Sequence, residues 1–351
     1  MRVSVIGAGS WGTATTFLLA QNGHEVTLWA RRPELAQHIE ETGQNEEYLP
    51  GVLLPKSVKA TSNIEVALKE AEAIVLATPS KAIRSQCEQM KPYFKANTPL
   101  VLLSKGVENA SGLLLLDVVA AVLEDKDPSS DTQLQTPDPQ AAPSSDSSLA
   151  VLSGPNHAEE VAQGVLSATL VASRNPEVAE LFQSLFSSET FRVYTSTDCL
   201  GVQLCGAAKN IIALAAGILA GSGYGDNTAA MLMTRGLAEI SRLVEALGGE
   251  SQTCMGLAGM GDLIVTCTSR HSRNRSFGVA MAQGETLESY EAKTHMVVEG
   301  ALASRSVTNL ASLHGVEMPI SEMVRQAVWE GLALDEMISL LMMRPAKPEF
   351  Y

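Results

Sequence analysis

The sequence predicts an α/β protein, an N-terminal Rossmann-type, doubly wound and mostly parallel sheet followed by an all-α C-terminal domain. Three observations carry this. Short β-branched runs alternate with helix-like segments through the first half of the 351 residues. Two runs, AIVLAT at 73–78 and PLVLLS at 99–104, are nearly continuous in apolar residues, as strands covered on both faces are. Beyond about Thr197 the strand signals fade, and Ala-, Leu- and Met-rich helical patterns replace them.

In chain order, strands are expected at 2–6, 25–29, 58–60, 73–77, 100–103 and 150–152, with 168–172 and 191–194 extending the sheet. Helices fit between them at 11–22, 33–42, 64–70, 81–90 and 113–124, and later at 228–246 and 320–330. This divides the chain into a dinucleotide-binding domain, 1–196, and a helical substrate-binding and catalytic domain, 197–351. Residues 125–148 interrupt the alternation. Fifteen of those 24 residues are Ser, Asp or Pro, too little apolar surface to offset ordering entropy, so an inserted mobile surface loop is expected. A lid or a phosphorylated tail is the alternative.

Composition narrows the function. Hydrophobic residues make up 45% and charged ones 18%, a globular balance. A net charge of −14 argues against gripping nucleic acid or an anionic membrane by bulk charge. An anionic ligand would need local cations. The most apolar stretch, 200–221, carries Lys209 and Asn210 at its centre, which argues for a buried helix and against a membrane span. Cys87, Cys199, Cys205, Cys254 and Cys267 are odd in number and hold no C-x-x-C pair. That pattern, with a start (MRVSVIGAGS) that enters a strand at once, leads us to expect a cytoplasmic protein without a signal peptide. The histidines show no H-x-x-x-H pairing, so no metal is implied.

The first motif with chemistry is Gly7-Ala8-Gly9-Ser10-Trp11-Gly12, after one clear strand and opening one clear helix. Gly7 permits the tight turn, Gly9 lets a pyrophosphate approach the backbone, and Gly12 allows close helix–strand packing. The helix N-terminus offers N–H groups to the phosphates. At the end of the second strand, Leu28-Trp29-Ala30-Arg31-Arg32 has no acid for two ribose hydroxyls. Arg31, with Arg32 beside it, suits a 2′-phosphate, which favours NADP(H) and leaves NAD(H) as the alternative.

Five later segments join this motif: Ser104-Lys105-Gly106, Ser153-Gly154-Pro155, Gly206-Ala207-Ala208-Lys209-Asn210, Ala258-Gly259-Met260-Gly261-Asp262-Leu263 and Ser272-Arg273-Asn274-Arg275. In that order, the set resembles bacterial NAD(P)-dependent glycerol-3-phosphate dehydrogenases, from Arg2 to about Met343 except in the 125–148 insertion. The resemblance implies interconversion of sn-glycerol 3-phosphate and dihydroxyacetone phosphate, supplying the glycerophospholipid backbone. It implies that Ser10, Trp11, Arg31, Ala158, Val297 and Glu299 touch the cofactor, and that Lys105 and Arg273 face both cofactor and substrate. Lys209 resembles the family's proton donor and acceptor. Gly154, Asp262, Ser272 and Asn274 resemble substrate-binding positions. Asn156 departs from the family's usual hydroxyl residue at its position, although its amide could still bond a substrate oxygen.

The chemistry is consistent with those residue types. Reducing a ketone needs a proton for the developing alkoxide, and a lysine ammonium supplies both charge and proton. Lys209 lies in an apolar helical pattern, where desolvation disfavours its charged form. Periodicity alone favours a lysine snorkelling to solvent, and it is the surrounding segments that reverse this reading. Asp262 would be presented by a Gly-rich turn, and the Ser272–Arg275 run offers a hydroxyl, an amide and two guanidiniums to a phosphate dianion. Two rivals remain at this level: a related dehydrogenase of another hydroxy or sugar acid, and a non-catalytic NADP(H)-binding regulator. An apolar helical half also often supports a homodimer.

Overall fold

A computed structural model describes residues 1–124, 148–294, 296–345 and 348–349. The chain parts into two compact units, Met1–Gly206 with Val244–Asp262, and Ala207–Leu243 with Leu263–Tyr351.

The first unit is built on an eight-stranded sheet, β1 (Arg2–Ile6), β2 (Glu25–Trp29), β5 (Lys59–Thr61), β6 (Ala73–Leu76), β7 (Leu100–Leu102), β8 (Leu149–Ser153), β9 (Ser167–Ala172) and β10 (Phe191–Ser196). Their spatial order is β5-β2-β1-β6-β7-β8-β9-β10. Every pair is parallel except β8–β9. The first six strands therefore follow the doubly wound dinucleotide-binding order, with its reversal between β1 and β6. Strand alternation loads both faces. On β6, Ala73 and Val75 join the core shared with α1 (Ser10–Gln21), α2 (Pro33–Thr42) and α7 (Pro176–Phe186). Ile74 and Leu76 join the opposite core, under α3 (Ile64–Leu68), α4 (Ile83–Met90) and α5 (Leu115–Leu123). Both faces are covered, which is why these strands read as continuous apolar runs.

Two features depart from expectation. A small hairpin, β3 (Gln44–Asn45) with β4 (Leu49–Leu53), follows α2; its first strand is two residues long and leaves no periodic signal. Ser148, inside the expected insertion, is buried and its carbonyl accepts from the Leu100 amide, so it leads into β8. The rest of that insertion, 125–147, lies outside the described residues. One short helix, α6 (Ala158–Ala162), follows β8.

Among the described residues, every element after β10 is helical: α8 (Cys199–Gly221), α9 (Asp226–Ala246), α10 (Ser251–Met255), a π-helical turn (Leu257–Gly261), α11 (Asp262–Thr268), α12 (Arg273–Ala282), α13 (Leu287–Thr294), α14 (Glu299–Leu313), α15 (Pro319–Trp329) and α16 (Leu334–Met342). Among the described residues α8 alone is long and apolar enough to cross a membrane, and 89% of its most apolar window is buried inside the protein. In the second unit α8 and α12 meet backbone to backbone. A Cβ on Gly217 would lie 2.0 Å from the Arg275 carbonyl oxygen, and one on Gly278 would lie 2.1 Å from that of Leu214. Any side chain at either position would push the helices apart.

Glu239 of α9 closes the N-terminus of α15. Its carboxylate accepts from the Ile320 amide at 2.6 Å, the Ser321 amide at 3.2 Å and the Ser321 hydroxyl at 3.1 Å, using N–H groups that have no partner within their own helix. Burial pushes this carboxyl up from 4.5 to about 7, against those donors and the nearby Arg242 charge. A folded-state pKa above the unfolded one means that the folded state holds the proton more tightly. The contribution of Glu239 to stability therefore falls as pH rises from about 4.5 to about 7, by on the order of 3 kcal/mol, and is flat above that. Glu239→Gln cannot titrate. Its melting temperature minus that of the parent should climb across this pH window and then level off, whatever constant offset the lost acceptor adds. A pH-independent difference would show that the carboxyl titrates normally.

Candidate active site

The glycine turn sits where β1 and β6 diverge. Gly7 has φ +119°, and its amide donates to the Trp29 carbonyl at 3.0 Å. A Cβ there would lie 2.6 Å from the Ala77 oxygen, and one on Gly12 would collide with the Gly7 carbonyl. Both positions thus exclude any side chain. Nothing lies within 4 Å of the Cβ direction of Gly9. Gly9 precedes α1, whose first turn carries Ser10 and Trp11, no acidic residue and no side-chain cap. Trp11 packs in a small cluster with Leu49, Ala158 and Ala162. That cluster joins α1, β4 and α6.

Asn45 fixes this turn from the hairpin. Fully buried, it donates to the Ala8 carbonyl at 3.0 Å and to Thr13 Oγ1 at 2.8 Å. Beyond β2, the two arginines part company. Arg32 is ion-paired with Glu47 and its guanidinium lies 5.9 Å from the Tyr48 ring centre. Arg31 is exposed and has no such partner among the described residues.

A second cluster in the first unit gathers Lys105, Ser153, Gly154 and Asp262. Lys105 Nζ lies 2.5 Å from Asp262 Oδ2 and 3.4 Å from the Gly154 carbonyl. Ser153 Oγ donates to the same carboxylate oxygen at 3.3 Å. Asp262 is 2% exposed, and a charge so deeply buried needs such donors. It follows one turn of π-helix (Leu257–Gly261), at the place where a Gly-rich turn is expected from sequence. The turn needs Gly259, since a Cβ there would sit 2.1 Å from the Cys254 oxygen. Gly154 packs against β9, with Thr169 Cα 2.9 Å from its Cβ direction. Asn156 is committed to the same strand. Its amide oxygen accepts from Thr169 Oγ1 at 2.8 Å, and its nitrogen donates to the Pro155 and Ala168 carbonyls.

In the second unit, Lys209 is 5% exposed, and its Nζ donates to Thr266 Oγ1 at 2.7 Å. Its neighbour Asn210 accepts from Asn274 Nδ2 at 3.0 Å, and Asn274 Oδ1 accepts from the Gly300 amide at 2.8 Å. This relay ties α8, the start of α12 and the start of α14. Ser272 caps α12, its Oγ accepting from the Arg275 amide at 3.2 Å. Arg273 is exposed at the first position of that helix, whose first turn holds no acid. Val297 and Glu299, both half-buried, flank the start of α14.

Two family descriptions match this chain. "NAD-dependent glycerol-3-phosphate dehydrogenase N-terminus" matches residues 2–131 and 139–179, and the corresponding C-terminus matches residues 198–339. The chain belongs to the NAD-dependent glycerol-3-phosphate dehydrogenase family. Glycerol-3-phosphate dehydrogenase [NAD(P)+] of Moorella thermoacetica is 45% identical over 347 residues, 99% of this chain and 97% of that one. The Corynebacterium glutamicum enzyme of the same name is 45% identical over 348 residues, 99% of both. The crystal structure of glycerol-3-phosphate dehydrogenase from Coxiella burnetii superposes with a TM-score of 0.88 at 34% identity, covering 98% of this chain and 99% of that one.

The dinucleotide implied by the family's name fits the residues present: open space over Gly9, an uncapped helix N-terminus, and no acid in the first turn. Sequence reasoning missed Asn45, Ser153, Asn210 and Thr266. Asn45 and Thr266 carry no motif, whereas Ser153 and Asn210 stand inside quoted segments and could have been singled out. Asn45 is testable. Asn45→Ala would leave a buried carbonyl and hydroxyl short of a donor, costing about 1–3 kcal/mol. The variant should melt lower and bind NADH and NADPH more weakly by similar factors. An unchanged nucleotide affinity in a less stable protein would limit Asn45 to a folding role.

Proposed function

We propose that this chain interconverts sn-glycerol 3-phosphate and dihydroxyacetone phosphate, with NADP(H) preferred over NAD(H). In this reading Gly7, Gly9, Ser10, Trp11, Gly12 and Ala158 hold the dinucleotide. Arg31 meets the 2′-phosphate, while Arg32, occupied by Glu47 and Tyr48, shapes the pocket edge. Lys105 faces both ligands, and Val297, Glu299 and Arg273 complete the cofactor contacts. The nicotinamide, when bound, supplies hydride to the ketone carbon or takes it back.

The observation that carries the substrate reading is the Asn274–Asn210 hydrogen bond. It links the N-terminus of α12, suited to a phosphate, to the helical turn that carries Lys209. At that terminus Ser272 Oγ accepts from the Arg275 amide, which leaves its O–H available as a donor. Arg273 adds a guanidinium, Asn274 keeps a second amide hydrogen, and the helix end adds its own N–H groups. Lys209 donates its proton to the ketone oxygen during reduction and accepts the hydroxyl proton in reverse. Thr266 orients its ammonium. Gly154 and Asp262 bound the substrate, with Asp262 also balancing the charge of Lys105; Asn156 shapes that wall through β9. Five buried cysteines, none of them in a disulfide, suit a cytoplasmic location, and a homodimer through the helical half belongs to the same proposal.

Lys209→Met keeps the packing of the side-chain stem and deletes the amine. It should lower kcat for dihydroxyacetone phosphate reduction by roughly 10²–10⁴-fold, with NADPH affinity little changed. Normal turnover in that folded variant would pass the role to another group, Lys105 first. Arg31→Ala should weaken NADPH by about 1.5–3 kcal/mol and barely affect NADH. Comparing the two cofactors' dissociation constants by fluorescence decides it, and an unchanged preference removes Arg31 as the discriminator. NADPH binding with no turnover on any phosphorylated ketone would favour a regulator over an enzyme.

A further inference from the structure

The second unit contains a cavity of about 800 Å³ that the proposed reaction does not use. Its walls are apolar and come from four helices: Leu219 of α8, Met231 and Leu232 of α9, Ile320 of α15, and Met337 and Leu341 of α16. The volume is that of a small-molecule site. Thioether and branched aliphatic walls adapt to a flexible chain better than they grip a rigid ring.

Charged residues line the same cavity. Arg235, Arg242 and Arg344 line it, against two carboxylates, Glu239 and Glu349. The carboxylate of Glu239 is turned onto the start of α15 by three hydrogen bonds. Arg344 is balanced by Glu317 at 3.1 Å, and Arg242 donates to the Glu317 carbonyl at 3.3 Å. Arg235, half-buried, donates one N–H to the Glu349 carbonyl at 3.3 Å and has no carboxylate partner among the described residues. A guanidinium has five N–H donors in a rigid fork, so most of the hydrogen-bonding capacity of Arg235 lies beyond that one contact.

We propose that this cavity binds a single-chain anionic amphiphile, its alkyl chain along the Leu219–Met337–Leu341 wall and its phosphate or carboxylate head on Arg235. Apolar walls and a half-buried guanidinium on the same cavity match both parts of such a molecule. A neutral chain would leave the arginine without a counter-charge, and a compact anion would leave the apolar walls uncovered.

The test uses the full chain and calorimetry with dodecyl phosphate, dodecanoate and, as the neutral control, dodecyl maltoside, each below its micelle concentration. One charged amphiphile should bind per chain, saturably, with the maltoside at least tenfold weaker. The stronger of phosphate and carboxylate identifies the head. Arg235→Ala should weaken the charged ligand roughly tenfold while leaving the melting temperature near that of the parent. Ile338→Trp, which fills the cavity from α16, should abolish binding. Should that variant fold poorly, Arg235→Glu replaces it, and loss of the anion's affinity is again expected. Equal affinity for the maltoside, indifference to both Arg235 variants, or no saturable heat overturns the proposal. So does sedimentation that shows self-association excluding the amphiphile, since that would give the cavity to a second copy of the chain.

Discussion

The close approach of β1 and β6 at the point where the sheet reverses is the constraint on which the first unit rests. A strand must turn sharply there into α1, in a space bounded by the Ala77 carbonyl, and only a residue without a Cβ at φ +119° can do so. Gly12 repeats the demand one turn later, its own missing side chain making room for the Gly7 carbonyl. Together they aim the N–H groups of α1 outward from the carboxyl ends of the strands, where ligands of open α/β sheets bind. Asn45 then locks the turn from outside, so the backbone that would meet a pyrophosphate is held by packing and by hydrogen bonds. Such pre-ordering lowers the entropy that binding must offset.

The second unit solves a similar problem with helices. Gly217 and Gly278 let α8 and α12 touch through their backbones. That contact carries the start of α12 to Asn210, and Gly300 admits the Asn210 carbonyl from the side of α14. Three glycines and two asparagines thus place Ser272 and Arg273 relative to Lys209. A loop could not hold them so closely, because a buried amide pair has few alternative arrangements that satisfy it.

Charge is managed locally throughout. The chain carries an excess of 14 negative charges, yet two buried carboxylates are each held by donors close at hand. Asp262 sits with Lys105 and Ser153. Glu239 sits on a helix N-terminus. Those donors offset its burial only in part, and the Glu239 carboxyl stays raised above the ordinary range.

The sequence by itself determined the layering. Apolar runs at 73–78 and 99–104 suggest strands covered on both faces, and the glycine spacing after β1 suits a tight turn into a helix. Those properties are local, written in periodicity and in the absence of side chains. Ser272, Arg273 and Asn274 could likewise be read as a donor set. What the tertiary structure decided is which partner each polar group meets. Arg31 and Arg32 are adjacent and chemically alike, but the hairpin beyond α2 brings Glu47 and Tyr48 to Arg32 alone. Asp262 follows glycines that suggest a turn, and the structure makes that turn π-helical and brings the carboxylate to Lys105, 157 residues earlier. Nor could periodicity choose whether Lys209 snorkels or stays buried beside Thr266. That choice depends on a helix 57 residues away, and contacts across such separations are set by how the elements pack, which no local pattern records.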